Sequence, residues 1–224
     1  MSNFNRFRFD DFTLENYRRY IKIAKEKFIF RTFDNFNKNE NFILLRHDID
    51  FSVHAAKKLA LIEKEEEVIS TYFLHLHSKF YNLLEKEITE IVFEIINLGH
   101  RIGLHFDTHF FKIEKEKDLN NYLILEKDFL EKIFNVKINV FSFHNTTNFT
   151  MNCKKWEYSG LINTYADYFQ KNVTYCSDSN GYWKFEKLED VHKAQAINYL
   201  EAYGIADDLL INFGGVSLEF KRVY

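Results

Sequence analysis

The sequence predicts an α/β fold, in which strands alternate with helices and are therefore parallel and joined by crossovers, as a sheet or a (β/α) barrel. Three observations carry this expectation. Short apolar runs such as FILL (42–45) and VFSF (140–143) alternate with longer segments whose apolar residues recur every three or four positions. Titratable residues follow nearly every such run, and in parallel α/β folds those strand ends share one face, where sites are built. The 224 residues contain no linker and suit one large domain, read as 1–224.

The elements follow in order. Residues 13–30 open with Thr13 three residues before Asn16 and keep Tyr17, Ile21, Ala24 and Phe28 on one stripe, which predicts an amphipathic helix. The run 42–45 leads into RHDIDFS, and 53–68 repeats Ala, Leu and Ile at helical spacing, with Glu63 to Glu67 as a solvated face. Residues 68–78 predict a strand, 86–100 a helix ended by Gly99, and 101–109 a strand running into a loop. A long charged helix is expected over 112–134, then strands at 138–145 and 173–179, a helix over 188–204 and a last strand near 208–215. His47, His54, His100 and His192 are read as surface or satisfied core residues, and His75 and His77 equally as pocket lining or packing.

Composition narrows the function. Hydrophobic residues make up 46% of the chain and aromatics 18%, enough for a sizeable core. Thirty basic residues against 33 acidic ones give a net charge of -3 with no basic block, which argues against nucleic acid or a membrane surface as partner. The absence of Pro and the 7 Gly leave turns to Asn, Asp and Ser. No apolar run is long enough to span a bilayer, and the N-terminus has no apolar leader core. Cys153 and Cys176 lack metal-type spacing, so a cytoplasmic protein with reduced thiols is expected; the oligomeric state has no sequence signature.

The chemistry concentrates in two motifs. In HFDTH, His105 and His109 stand four apart, a spacing that can aim two imidazoles at one ion. Asp50, from a neighbouring strand end, would complete a two-His, one-carboxylate set with open positions. Asp48 shares its strand face with Asp50 and suits a general base beside a bound water. Taken singly, an Asp-x-Asp also fits a glycosyltransferase metal site or the nucleophile of a dehalogenase-type phosphatase, but the latter leaves His105 and His109 unused.

RHDID and HFDTH, together with FLHLHSKFYN, LGHRIGLHFDTH, FSFHN and YCSDSNGYW, resemble the polysaccharide deacetylases of the NodB-homology type, metal-dependent carbohydrate esterases and amidases. The likeness runs over about three quarters of the chain, and is similar to a subgroup associated with bacterial surface-polysaccharide gene clusters. It implies a distorted (β/α)7 barrel with Asp48 as base and Asp50, His105 and His109 holding one divalent metal at the strand ends. Zn2+ is the first expectation, with Co2+, Ni2+, Mn2+ or Fe2+ as alternatives. The family's third motif carries an Arg that holds the base; FSFHNTTN lacks one, and Arg46 is the expected substitute. Its late Leu-x-His motif corresponds to LLINFGG, with Asn212 in place of the His, so His144 is assigned the role of acid.

The expected activity is hydrolysis of an N-acyl group, acetyl or formyl, from a nucleotide- or lipid-linked amino sugar in surface polysaccharide biosynthesis. Arg46, Asn145, Asp178, Ser179 and Trp183 are expected to contact the sugar. The missing late His also supports a second expectation, a catalytically impaired barrel that binds metal or sugar.

Overall fold

A computed structural model describes residues 13–177 and the backbone of the strand at 209–212. Six helices occur there: α1 (Leu14–Lys25), α2 (Val53–Glu65), α3 (Lys86–Asn97), α4 (Glu116–Phe134), α5 (Asn148–Met151) and α6 (Asp167–Asn172). The strands are β1 (Ile29–Arg31), β2 (Phe42–Ile49), β3 (Thr71–Leu74), β4 (Arg101–Phe106), β5 (Val140–Phe143), β6 (Glu157–Tyr158), β7 (Leu161–Asn163), β8 (Thr174–Ser177) and β9 (Leu209–Asn212).

These strands form one sheet in the order β6-β7-β5-β4-β3-β2-β9-β8, with β1 also on β2. Every pairing is parallel except the β6/β7 hairpin. The expected alternation of strands and crossover helices is thus present, but the expected closure is not: among the described residues the sheet is open, with edges at β6 and β8. The hairpin itself is absent from the sequence expectations. It turns on Ser159 and Gly160, both at positive φ (55° and 77°), the geometry whose twist matches two paired strands.

Local chemistry explains several element ends. Thr13 caps α1 by accepting from the Asn16 N–H at 3.2 Å, and Ser52 caps α2 through the Ala55 N–H at 3.1 Å. The predicted first helix ends early: Ile29 and Phe30 pair with Phe42 and Ile43 as β1. The fourth helix starts at Glu116, because Asp107 accepts from the His109 N–H and Lys112 turns the chain at φ 54°.

Strand alternation divides the core and places the site. On one face, Leu44, Arg46 and Asp48 of β2 neighbour Phe73 of β3, Gly103 and His105 of β4, and Val140 and Ser142 of β5; the apolar members pack with Phe33, Phe42 and Phe169. On the other face, Ile43 and Leu45 meet α1 and α2, while Leu74, Leu104 and Phe106 pack in the larger core with α3 and α4. Gly103 lets the Phe73 ring pack closely against β4: a Cβ there would lie 2.6 Å from that ring.

Glu63 corrects the reading of the acidic run. It is fully buried and takes hydrogen bonds from Tyr17 Oη, Ser70 Oγ (2.6 Å) and Tyr72 Oη (2.7 Å), with His47 Nε2 at 2.6 Å. Burial alone would raise its carboxyl, but the charge and hydrogen bond of His47 outweigh that and hold it below the usual range. Four donors from α1, β2 and the β3 region therefore pin one carboxylate of α2, with His100 Nδ1 3.5 Å away. Its neighbours Glu65 and Glu67 are not buried, so the run is solvated only in part.

Candidate active site

At the C-terminal ends of β2 to β5, Asp50, His75, His105 and His144 converge. Asp50 Oδ1 lies 2.9 Å from His144 Nδ1 and 3.2 Å from His105 Nε2, and those two nitrogens are 3.1 Å apart. The His75 ring lies 4.2 Å from that of His144 and 5.7 Å from that of His105, centroid to centroid. Ligand atoms of Asp50, His75 and His144 all fall within 4.8 Å of one another, which makes these three residues a possible metal site. Parity explains the convergence: Asp48 and Asp50, Phe73 and His75, Gly103 and His105, and Ser142 and His144 each step by two along a strand and its end, so they share a face.

The electrostatics suit a cation. Burial opposes ionisation of Asp50, but the hydrogen bonds to His105 and His144 outweigh it and keep the carboxyl well below its ordinary range. Burial, with the charges of His144 and His105, pulls the His75 imidazole down to about 3, so it is neutral near pH 7. Its buried Nε2 has no hydrogen-bond partner among the described residues, a lone donor or acceptor that a ligand would satisfy. Burial of His105 disfavours its cation, but Asp48 and Asp50 overcome this and raise it.

A hydrogen-bond relay fixes His105. Ser142 Oγ donates to Asp48 Oδ1 at 3.2 Å, so its remaining contact with His105 Nδ1, at 2.7 Å, uses the ring's N–H. In the neutral ring Nε2 is then a lone pair facing Asp50, the tautomer of a metal ligand whose other nitrogen is held. His144 is held at both nitrogens: Asn145 Nδ2 donates to Nε2 at 2.7 Å, which leaves the ring proton on Nδ1, toward Asp50. Turning the exposed Asn145 amide to present Oδ1 would move that proton to Nε2 and free Nδ1 as a ligand. One carboxylate and three imidazoles, one of them with an orphaned nitrogen, fit a divalent N/O-binding metal.

Asp48 sits behind this set and is held from two sides. Arg46 Nη2 donates to its Oδ2 at 2.5 Å, and Arg46 Nη1 donates to Thr164 Oγ1 at 3.0 Å. Burial disfavours the Arg46 cation, yet Asp48 outweighs the penalty and the guanidinium stays charged; it also lies 5.4 Å from the Phe73 ring and 5.5 Å from that of Tyr165. Arg46 is only 1% exposed. The guanidinium thus bonds Asp48 from a buried position, with little surface left for the sugar contact expected of it.

The remaining expected residues are placed as follows. His109 is exposed and its Nε2 meets the Asn145 carbonyl oxygen at 3.1 Å, not Asp50. Asn145 stands beside His144 at φ 48°. Asp178, Ser179 and Trp183 lie outside the described residues, as does the Asn212 side chain, whose backbone pairs in register with Arg46. His77, left undecided by the sequence, contacts the buried Glu126 carboxylate at 2.5 Å and stacks on Phe110 at 3.4 Å between centroids and 7° between planes. Burial raises the Glu126 carboxyl. His47 and His100 are buried and bonded and His54 is exposed.

A family model described as the PD-(D/E)XK nuclease superfamily matches residues 184–223, a segment that contains β9 and Asn212 but none of Asp48, Asp50, His75, His105 and His144. No curated protein matches. Among solved structures, a family 4 carbohydrate esterase from Bacillus anthracis is similar at 16% identity and a TM-score of 0.38, over 55% of this chain and 56% of that one. A family 4 (CE4) pseudoenzyme from the same organism is similar at 15% identity and a TM-score of 0.44, over 81% and 57% of the two chains. A mutant of that pseudoenzyme, described as having restored enzymatic activity, gives 16% identity and a TM-score of 0.41, over 79% and 58%. This chain spans less than three fifths of each of these proteins.

Proposed function

We propose that the chain is a metal-dependent hydrolase that removes an acetyl or formyl group from the nitrogen of an amino sugar. The observation that carries this reading is the convergence of Asp50, His75, His105 and His144 in front of a carboxylate, Asp48, that is held in place by Arg46 and Ser142. Asp50, His75, His105 and His144 would hold the ion, Zn2+ or another divalent cation. Such an ion lowers the pKa of water and polarises an amide carbonyl.

The chain's own residues do the rest. Asp48 is the acceptor for the proton of the attacking water, and the Arg46 ion pair and the Ser142 hydroxyl fix its orientation. The same carboxyl then delivers that proton to the departing nitrogen, because both nitrogens of His144, the residue first assigned that task, are engaged. This balances: the C–N bond breaks, the acyl carbon gains the water oxygen, and the free amine gains a proton. Asn145 at the rim, with Asp178, Ser179 and Trp183, would meet the sugar.

A second reading, binding without turnover, draws on Asn212, which stands where the likeness implies a histidine acid. The two separate on acetate or formate release from N-acetyl and N-formyl amino sugars with added Zn2+, Co2+, Ni2+, Mn2+ or Fe2+. Release that disappears in Asp48→Asn while bound metal is retained supports hydrolysis; metal binding with no release from any substrate supports the second reading.

A further inference from the structure

The outward face of α4 is apolar at its centre and charged at its ends. Ile124, Leu125 and Phe129 are 45%, 59% and 39% exposed. Asp118, Leu125 and Lys132 are spaced by seven, so they lie along one stripe of the helix. Neither Asp118 nor Lys132 forms an ion pair among the described residues, although nearby pairs such as Lys155 with Glu116 do form. Among the described residues the helix thus presents an exposed apolar patch flanked by one anion and one cation without an ion-pair partner, each seven residues from Leu125.

That symmetry specifies an occupant. If a second α4 runs antiparallel with its two-fold axis at Leu125, Leu125 meets Leu125, and Lys132 of each copy lies over Asp118 of the other. Both ends are then neutralised by the same operation that covers the patch, and the two helix dipoles oppose. The two charges are about 21 Å apart along the axis, so no rotamer change within one chain brings them together. A net charge of only -3 places little overall repulsion against self-association.

We propose that this stripe of α4 is the contact of a two-fold homodimer, centred on Leu125 and set in register by reciprocal Asp118–Lys132 pairs. The opposite, buried face of α4 carries Glu126, the partner of His77, so the contact also braces the helix that positions this residue at the rim of the site. With one helix pair at its centre the contact is small, and association on the order of 10 µM is expected.

Sedimentation velocity on the full chain between roughly 1 and 200 µM brackets that range. Wild type should move from protomer to dimer across it. Leu125→Lys should shift the midpoint upward by at least about tenfold, and Asp118→Lys or Lys132→Asp alone should each weaken association by about tenfold, since each turns two attractions into two repulsions. The double variant Asp118→Lys/Lys132→Asp should restore it. The control is built in: both swaps oppose the helix dipole, so damage to α4 itself would add in the double variant and not cancel. Circular dichroism checks that each variant is folded. A protomer at every concentration, a dimer unaffected by Leu125→Lys, or a double variant as weak as the singles would each overturn the proposal.

Discussion

Replacing Arg46 by Met tests whether Asp48 depends on its buried cation. The guanidinium is 1% exposed, Asp48 is 7% exposed, and the Nη2–Oδ2 separation is 2.5 Å. Met keeps much of the apolar contact with Phe73 and Tyr165 while removing the charge and the bond to Thr164. Removing one partner of a buried pair leaves the other as an uncompensated charge, at a cost of about 3–5 kcal/mol. Two charges about 4 Å apart at an effective dielectric constant of about 20 give a similar figure, about 4 kcal/mol. For a chain of this length that loss lowers the melting temperature by about 6–20 °C. Calorimetry and urea unfolding measure it, and Arg46→Met/Asp48→Leu, which removes the orphaned charge as well, should recover most of the loss. A single variant within about 1 kcal/mol of wild type, or a double variant less stable than the single, would refute the ion-pair argument.

Further outcomes follow from the same geometry. His75→Ala should weaken Zn2+ binding by about a hundredfold in competition with a chromophoric chelator, while His109→Ala should leave it within about twofold; the reverse result would favour the pairing implied by the HFDTH spacing. Gly103→Ala should cost about 1–3 kcal/mol in urea unfolding, because the new methyl lies 2.6 Å from the Phe73 ring; a neutral effect would mean that the ring moves aside. Acid lability should arise in part from His100. Burial lowers this imidazole despite the opposing charge of Glu63, so the unfolded chain binds its proton first, and stability falls as pH drops below about 6.5 toward the folded value. In urea unfolding between pH 7 and pH 5, His100→Gln should flatten that fall; an unchanged slope would remove His100 from the account.

Much of this architecture was legible because strand and helix periods are strong signals. The alternation of elements, the Thr13 cap and the concentration of polar groups at strand ends all appear in the residue pattern. Three short strands were not legible: β1, β6 and β7 have three, two and three residues, too few to show a period; β1 is absorbed into the predicted first helix, and only the Ser159-Gly160 turn marks the other two. Closure into a barrel has no local signature at all, since it depends on pairings between distant edges.

The site shows where spacing misleads and parity does not. His109 stands four positions after His105, as on a helical turn, but β4 ends at Phe106. His105 therefore points with its strand face, while His109 lies past a turn stapled by Asp107 and faces the Asn145 carbonyl. Counting by two from residues already on the inner face leads from Phe73 to His75 and from Ser142 to His144, the two imidazoles that flank Asp50 and His105. The opposite parity leads from Arg46 to His47, and there the chain placed not a ligand but a ring bonded to Glu63. A titratable residue on the outer face of this sheet must find its counter-charge in a helix, and α2 supplies it at a position that its sequence alone disguises as one more glutamate in an acidic run. The strand that carries Asp48 and Asp50 is thus gripped on its two faces by buried hydrogen-bonded pairs, Arg46 with Asp48 inside and His47 with Glu63 outside, and movement of either pair would displace the proposed base.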